Sequence, residues 1–338
     1  MCLYPKLIDN PKYRANKKNG GNIPPIRDSR VKKVPIGCGD CMECRKQKAR
    51  GWQVRLLEDL KEHKNGKFIT LTFSGEALLK LRDYVNRDKE KPYEGYELDN
   101  MTCIAAVRLF LERWRKEYKK SLRHWFVTEL GHSGTEHVHI HGIVWTDQDI
   151  KNVVRHWQYG HVWIGEQKNG KVINYVNERT VNYIVKYVHK VDEKHRYYKS
   201  MILTSAGIGR CYTKGHDWKK NKYKGKATDT TYRSRQGFKI AMPNYWRNKI
   251  YTEHERELLW LHMLDKMERW VCGERVSIKD DDKEYYRLVE YYRVKNVKLG
   301  YGGLKTWEQE QYERERRIIK QRERYRELDI KRAAGKTA

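Results

Sequence analysis

The chain has 338 residues, with 72 Lys and Arg against 44 Asp and Glu, for a formal net charge of +28. Its 11 Trp and 24 Tyr with only 7 Pro exclude a disordered chain, in which aromatics are scarce. No apolar run approaches the ~18 residues of a membrane span, and the opening Met1-Cys2-Leu3-Tyr4-Pro5 lacks a signal-peptide core, so neither secretion nor a membrane is expected.

Such a charge draws a protein to polyanions, and nucleic acid is the usual one. The Lys and Arg are interleaved with Tyr and Trp along the chain. That mixture suits a groove in which cations meet phosphates and rings stack on the bases of a single strand.

Residues 1–50 hold most of the Pro and a cysteine cluster, and read as an irregular, metal-pinned lead segment. Residues 52–63 have helical spacing. Phe68 to Phe73 alternates and is β-branched, which predicts a strand. Ser74 is placed to cap a helix carrying Leu78, Leu79 and Leu81. Apolar residues recur from Ile104 to Tyr118 with the spacing of an amphipathic helix. His124–Leu130 and His137–Trp145 read as the two strands of a hairpin turning at 131–134. A helix starting at Thr146 or Asp147, a strand at His161–Ile164 and a helix capped by Thr180 and running to Lys190 follow. Residues 201–250 read as loops, and the chain from Glu253 as charged helix, ending in a Lys/Arg/Glu-rich stretch from Trp307 to Arg332.

This order predicts an α+β fold: a central antiparallel sheet with helices on one side, plus a basic helical C-terminal region. The segments expected are 1–50, 51–250 and 251–338. The final stretch has two readings, a solvated helix laced by i,i+4 ion pairs or a non-specific grip on DNA.

Three motifs carry chemistry. Cys38, Cys41 and Cys44 stand at equal steps of three, and Cys2 is the natural fourth ligand of a structural Zn²⁺ if the N-terminus folds back. Seven cysteines, an odd number, with no leader argue for a reducing compartment and against disulfides. Cys103 belongs to a helical pattern and reads as core. Next, His137, His139 and His141 alternate on one strand, so all three fall on one face about 7 Å apart. Glu129 lies on the neighbouring strand. Two imidazoles and a carboxylate suit Mg²⁺ or Mn²⁺ with positions left open for substrate. Finally, Tyr183 and Tyr187 are i,i+4 neighbours on a helix, about 5–6 Å apart at Cβ, flanked by Lys186 and Lys190. Paired phenols near cations suit covalent phosphotransfer, provided that something activates a group whose ordinary pKa is near 10.

His139-Ile140-His141 resembles the His-hydrophobic-His motif of the HUH endonucleases. Tyr183-x-x-x-Tyr187 resembles the nucleophile pair of their two-tyrosine branch, and Phe68–Phe73 resembles the first strand motif of that fold. More closely, residues 1 to about 250 resemble the replication initiation proteins of microviruses, small gokushovirus-like single-stranded DNA phages. The matching pieces are Cys2–Pro5, Cys38–Arg45, Glu129–Gly131, His139–Gly142, Tyr183–Lys190 and Ser205–Gly209.

The resemblance implies an HUH nuclease fold and a rolling-circle initiator that nicks single-stranded origin DNA. By it, His139 and His141 hold the metal with Glu129 as third ligand, and a tyrosine forms a 5′-phosphotyrosine. A second tyrosine then closes the circle. A host helicase and DNA polymerase act with it in the cytoplasm of a bacterial host cell.

Alternatives stay open at this point. His137-x-His139 is a competing metal frame, and Glu136 or His132 could replace Glu129. His-x-His-x-His also resembles the histidine-triad nucleotide hydrolases. An HUH transposase or plasmid initiator, and a non-enzymatic zinc-pinned nucleic-acid-binding protein, are the other readings. Gly165 to Lys171 has P-loop spacing, but Val172 stands where the Mg²⁺-binding Ser/Thr belongs, so a basic hairpin loop without ATP hydrolysis is expected.

Overall fold

The computed structural model describes residues 2–131, 136–192, 194–234, 237–302 and 307–335. The chain forms two compact units, each drawn from two stretches: Met1–Val54 with Arg210–Leu304, and Arg55–Gly209 with Lys305–Ala338. The linear segments expected from composition therefore regroup. The C-terminal stretch joins the unit built on residues 55–209, and the stretch from 210 joins the N-terminal segment.

The second unit is built on a five-stranded sheet, antiparallel throughout. Its order is Val162–Trp163, Gly66–Leu71, Val138–Trp145, Arg123–Leu130, Ile202–Thr204. Four strands lie where alternation put them, while Ile202–Thr204 falls in a stretch expected to be loop. A period of two sorts the side chains into two faces. Ile69, Leu71, Phe126, Leu130, Val138, Ile140 and Val144 share one core with the helices Gly75–Asn86 and Gly95–Tyr118. Burying an aliphatic or aromatic side chain of this kind stabilises by about 1.5–3 kcal/mol. Ser74 caps the first helix as expected, its Oγ accepting from the Ala77 N–H at 3.2 Å. The second helix starts at Gly95, well before the apolar stripe, because its first turns bury the polar Asp99 and Thr102 as well.

The other face carries Phe68, Thr70, Glu129, His139 and His141, and the helix Glu178–His189 lies against it. Helices thus cover both faces of the sheet, not one. The C-terminal helix Trp307–Ala333 packs on the first core, so it is not wholly solvated. Tyr325 is buried there, and Leu328 lies close enough to Gly75 that a Cβ on that glycine would meet it at 2.7 Å. Arg317 donates to both oxygens of Asp99 at 3.1 Å, and the Gly95 N–H donates to Gln321 Oε1 at 2.6 Å.

Among its described residues the first unit contains three hairpins: Lys6–Asp9 with Lys33–Ile36, Thr231–Arg233 with Lys239–Ala241, and Glu268–Val271 with Glu274–Ser277. Its helices include Asn244–Ile250, Glu253–Asp265 and Lys283–Lys298, and the helix Met42–Glu62 begins in it. The third hairpin interrupts the helix expected from Glu253 onward. It turns at Cys272 and Gly273, both at positive φ, as a two-residue type I′ loop requires. One small core holds Leu3, Cys41, Met42, Val271 and Val289; another holds Val54, Tyr212, Tyr232, Met242 and Trp246. Among the described residues no helix is long and apolar enough to cross a membrane.

Candidate active site

The pairing of Arg123–Leu130 with Val138–Trp145 sets Glu129 directly opposite His139 and Val127 opposite His141. On the other side, Gly66–Leu71 sets Thr70 opposite His141. Alternation buries Val138 and Ile140 in the core and leaves His139 and His141 half-buried on the far face. Two glycines permit this. A Cβ on Gly142 would stand 2.1 Å from the Phe126 ring and 2.6 Å from the Trp125 carbonyl oxygen. A Cβ on Gly131 would stand 2.8 Å from His139 Cε1 and 3.2 Å from the His137 carbonyl oxygen.

His141 Nε2 donates to Glu129 Oε2 at 2.9 Å, and its Nδ1 accepts from Thr70 Oγ1 at 3.1 Å. This network assigns the neutral tautomer with its proton on Nε2. Burial, and then the neighbouring His141, hold the pKa of His139 below that of an ordinary imidazole, against the pull of Glu129. His139 is therefore a neutral nitrogen donor near pH 7. His137 is engaged elsewhere, with its Nδ1 3.2 Å from the Phe73 carbonyl oxygen. Glu136 is also committed, accepting from Arg317 at 3.2 Å and pairing with Lys320 at 3.5 Å. His132 and most of the 131–134 turn lie outside the described residues. His139, His141 and Glu129 thus come together, although their ligand atoms do not all fall within 4.8 Å of one another.

The tyrosine helix starts one turn earlier than its apolar pattern suggests. Asn177 caps it, accepting from the Thr180 N–H at 3.0 Å, while Thr180 Oγ1 accepts from the Asn177 N–H in a capping box. Val181, Ile184, Val185 and Val188 are buried beneath it. Tyr187 lies flat on His141, ring centroids 4.5 Å apart and planes 4° from parallel. Its Oη donates to Tyr183 Oη at 2.7 Å. The two phenols differ in access: Tyr183 is 45% exposed and Tyr187 only 8%. Lys186 Nζ sits 3.8 Å from the centre of the Tyr183 ring, and Lys190 Nζ is 3.9 Å from Glu129 Oε1. Burial, the bond to Tyr183 and the charge of Glu129 all push the Tyr187 phenol well above its ordinary pKa. The activation expected of nearby cations therefore does not reach Tyr187.

Two residues of this site were missed in the sequence. Thr70 orients His141, and Phe68 meets the Tyr183 ring edge-on at 6.0 Å. Their signal was the alternation of the first strand, which puts both opposite Ile69 and Leu71, but only the register reveals their partners. The P-loop look-alike is the hairpin Glu166–Lys168 with Lys171–Ile173, turning at Asn169 and Gly170 with positive φ at both. In the other unit, the Sγ atoms of Cys2, Cys38, Cys41 and Cys44 converge. Cys103 is buried in the sheet core.

Residues 66–192 match a family model described as Replication-associated protein ORF2. The matched stretch opens on the strand that carries Thr70, includes the histidine strand and closes just past the tyrosine helix. The match supports a rolling-circle replication initiator, and with it a protein that binds DNA. No curated protein and no solved structure matches the chain.

Proposed function

We propose that the protein initiates rolling-circle replication by nicking single-stranded origin DNA, with Tyr183 the first nucleophile and Tyr187 the second. The observation that carries this reading is the stacking of the tyrosine helix on the histidine strand, which joins phenols, imidazoles, a carboxylate and two lysines in one place. Tyr183 comes first because it is accessible and already accepts a hydrogen bond from Tyr187.

In the first step Tyr183 Oη attacks the scissile phosphorus, its proton passing to solvent, and the bond from phosphorus to the 3′ oxygen breaks. The products are a 5′-phosphotyrosine and a 3′-OH. The Tyr187 O–H and the Lys186 ammonium stabilise the developing phenolate. Because the ester keeps the phosphodiester energy, religation needs no nucleotide. The 3′-OH then primes a host polymerase while a host helicase unwinds. Once Tyr183 is esterified, Tyr187 loses its hydrogen-bond acceptor and is released to attack the regenerated junction. The 3′-OH then displaces Tyr183 and closes the circle.

His139, His141 and Glu129 would hold the divalent metal, Mg²⁺ or Mn²⁺, since two nitrogens and a carboxylate oxygen are a donor set that suits either. Such an ion, when bound, draws charge from the scissile phosphate. The origin expected is that of a microvirus-like phage, and the setting is the cytoplasm of its bacterial host.

The test is a denaturing gel of the protein with labelled single-stranded origin DNA, in Mn²⁺ or EDTA. The expected result is a metal-dependent covalent band, reduced at least about a hundredfold by Tyr183→Phe and abolished by Tyr183→Phe with Tyr187→Phe. A band that survives in the double variant, or tight binding with no band at all, overturns the reading.

A further inference from the structure

We infer that Cys2, Cys38, Cys41 and Cys44 form a closed tetrathiolate site for one structural Zn²⁺, independent of the nicking chemistry. Their four Sγ atoms all lie within 4.8 Å of one another, and those of Cys2 and Cys41 are 3.9 Å apart. A zinc–sulfur bond of about 2.3 Å in tetrahedral geometry sets the sulfurs roughly 3.8 Å apart. Two disulfides would instead gather the sulfurs into pairs about 2.05 Å apart. An iron–sulfur cluster, with several irons between its cysteines, spreads their sulfurs further. One ion at the centre of four sulfurs is what remains.

The surroundings are built for thiolates. The N–H groups of Tyr4 and Cys38 donate to Cys2 Sγ at 3.3 and 3.2 Å, and the Cys41 N–H donates to Cys38 Sγ at 3.3 Å. Gly39, at φ +83°, makes the turn that aims Cys38 and Cys41 at one point. Gly37 leaves room for Cys44, whose Sγ a Cβ there would meet at 3.0 Å. Cys44 lies in the first turns of the helix Met42–Glu62, where the helix dipole favours a negative sulfur.

The chain around the cluster is also fixed. Leu3 is fully buried and its carbonyl accepts from Arg293 Nε at 3.0 Å. Met42 donates its N–H to the buried Asn296 Oδ1 at 2.7 Å. These contacts hold the N-terminus against the helix start, so Cys2 is presented as the fourth ligand. Four protein ligands leave no open position, which marks a structural site and not a catalytic one.

The test is elemental analysis of the full-length protein purified under reducing conditions, with thiols titrated by p-hydroxymercuribenzoate in the presence of a zinc-sensing dye. One zinc per chain is expected, released as the fourth thiol of the cluster reacts. Cys41→Ser and Cys44→Ser should lose it and Cys211→Ser should keep it. Where the serine variants do not fold, wild-type protein exchanged with Co²⁺ decides, by the sulfur-to-cobalt charge-transfer and visible bands of a tetrahedral tetrathiolate. A native protein with four freely reacting thiols and less than about a tenth of a zinc per chain, one with iron in its place, or one with disulfides there, overturns the inference.

Discussion

The cysteine cluster of the first unit and the histidine face of the second both gather metal-ligating side chains, by opposite means. The cysteines come from a turn, a helix start and a returning N-terminus, and their sulfurs already converge. Backbone N–H groups satisfy them and Cys41 is fully buried. The histidines stand side by side on a strand, and their spacing is set by the pleat. Glu129 is shared between His141 and Lys190, and Tyr183 beside them is open to solvent. A site built to hold a fold closes on its ion, whereas a site built to act on a phosphate keeps its ligands spaced and one side free. The contrast makes the two sites separable by experiment.

The largest separation is expected from His139→Ala. Covalent capture of DNA should fall about a thousandfold or more, because a metal supplies several kcal/mol at the phosphate, while thermal unfolding and zinc content stay as in wild type. Loss of zinc together with activity would show that the two sites are not independent. Gly131→Ala should give an intermediate effect. Its Cβ would press on His139 Cε1 at 2.8 Å, and displacing that ring should lower the nicking rate about 10- to 100-fold with little change in DNA affinity. An unchanged rate would mean that the His139 position seen here is not the one used.

The smallest effect concerns an imidazole outside both clusters. His124 is buried on the sheet, its Nδ1 donating to the Leu122 carbonyl oxygen at 2.9 Å, and burial holds its pKa below the ordinary 6.5 despite that bond. It is neutral when folded and titrates normally when unfolded. Its contribution is therefore complete above about pH 6.5 and is lost as pH falls from there through the lower folded value, by at most about 1.4 kcal/mol per pH unit. His124→Gln should flatten the acid limb of the unfolding midpoint against pH. An equally steep limb in the variant would assign the acid sensitivity to other groups.

How much of this was legible depended on the range of the interactions. Local signals read well: the alternation of Phe68–Leu71, the Ser74 cap, the period-two histidines and the i,i+4 tyrosines all need only neighbouring residues. The Cys spacing gave three ligands, and Cys2 followed from counting to four. What did not read was set by distant partners. Asp99 looks like a helix-breaking polar residue until Arg317 is found beside it. Ile202–Thr204 is a strand only because Trp125–Val127 offers it an edge. The hairpin Glu268–Ser277 carries mostly charged side chains, and its one local mark, Gly273 after Cys272, was outweighed by the helical pattern around it. The order of the two tyrosines is invisible in the spacing, which treats them alike, and depends on which one the sheet covers.

The docking of the C-terminal helix has a consequence for how the molecule is made. Arg317 and Asp99, which meet in the second unit's core, are 218 positions apart in the chain. At a synthesis rate of about 5–20 residues per second, Asp99 emerges on the order of 10–40 s before its partner. Over that interval the sheet and its two helices have no Tyr325 or Leu328 against them, and Asp99 has no guanidinium. The nascent chain must stay open, or be held by a chaperone, until nearly all of it exists. A shortened chain lacking this helix would then be a folding lesion before it is a loss of grip on DNA.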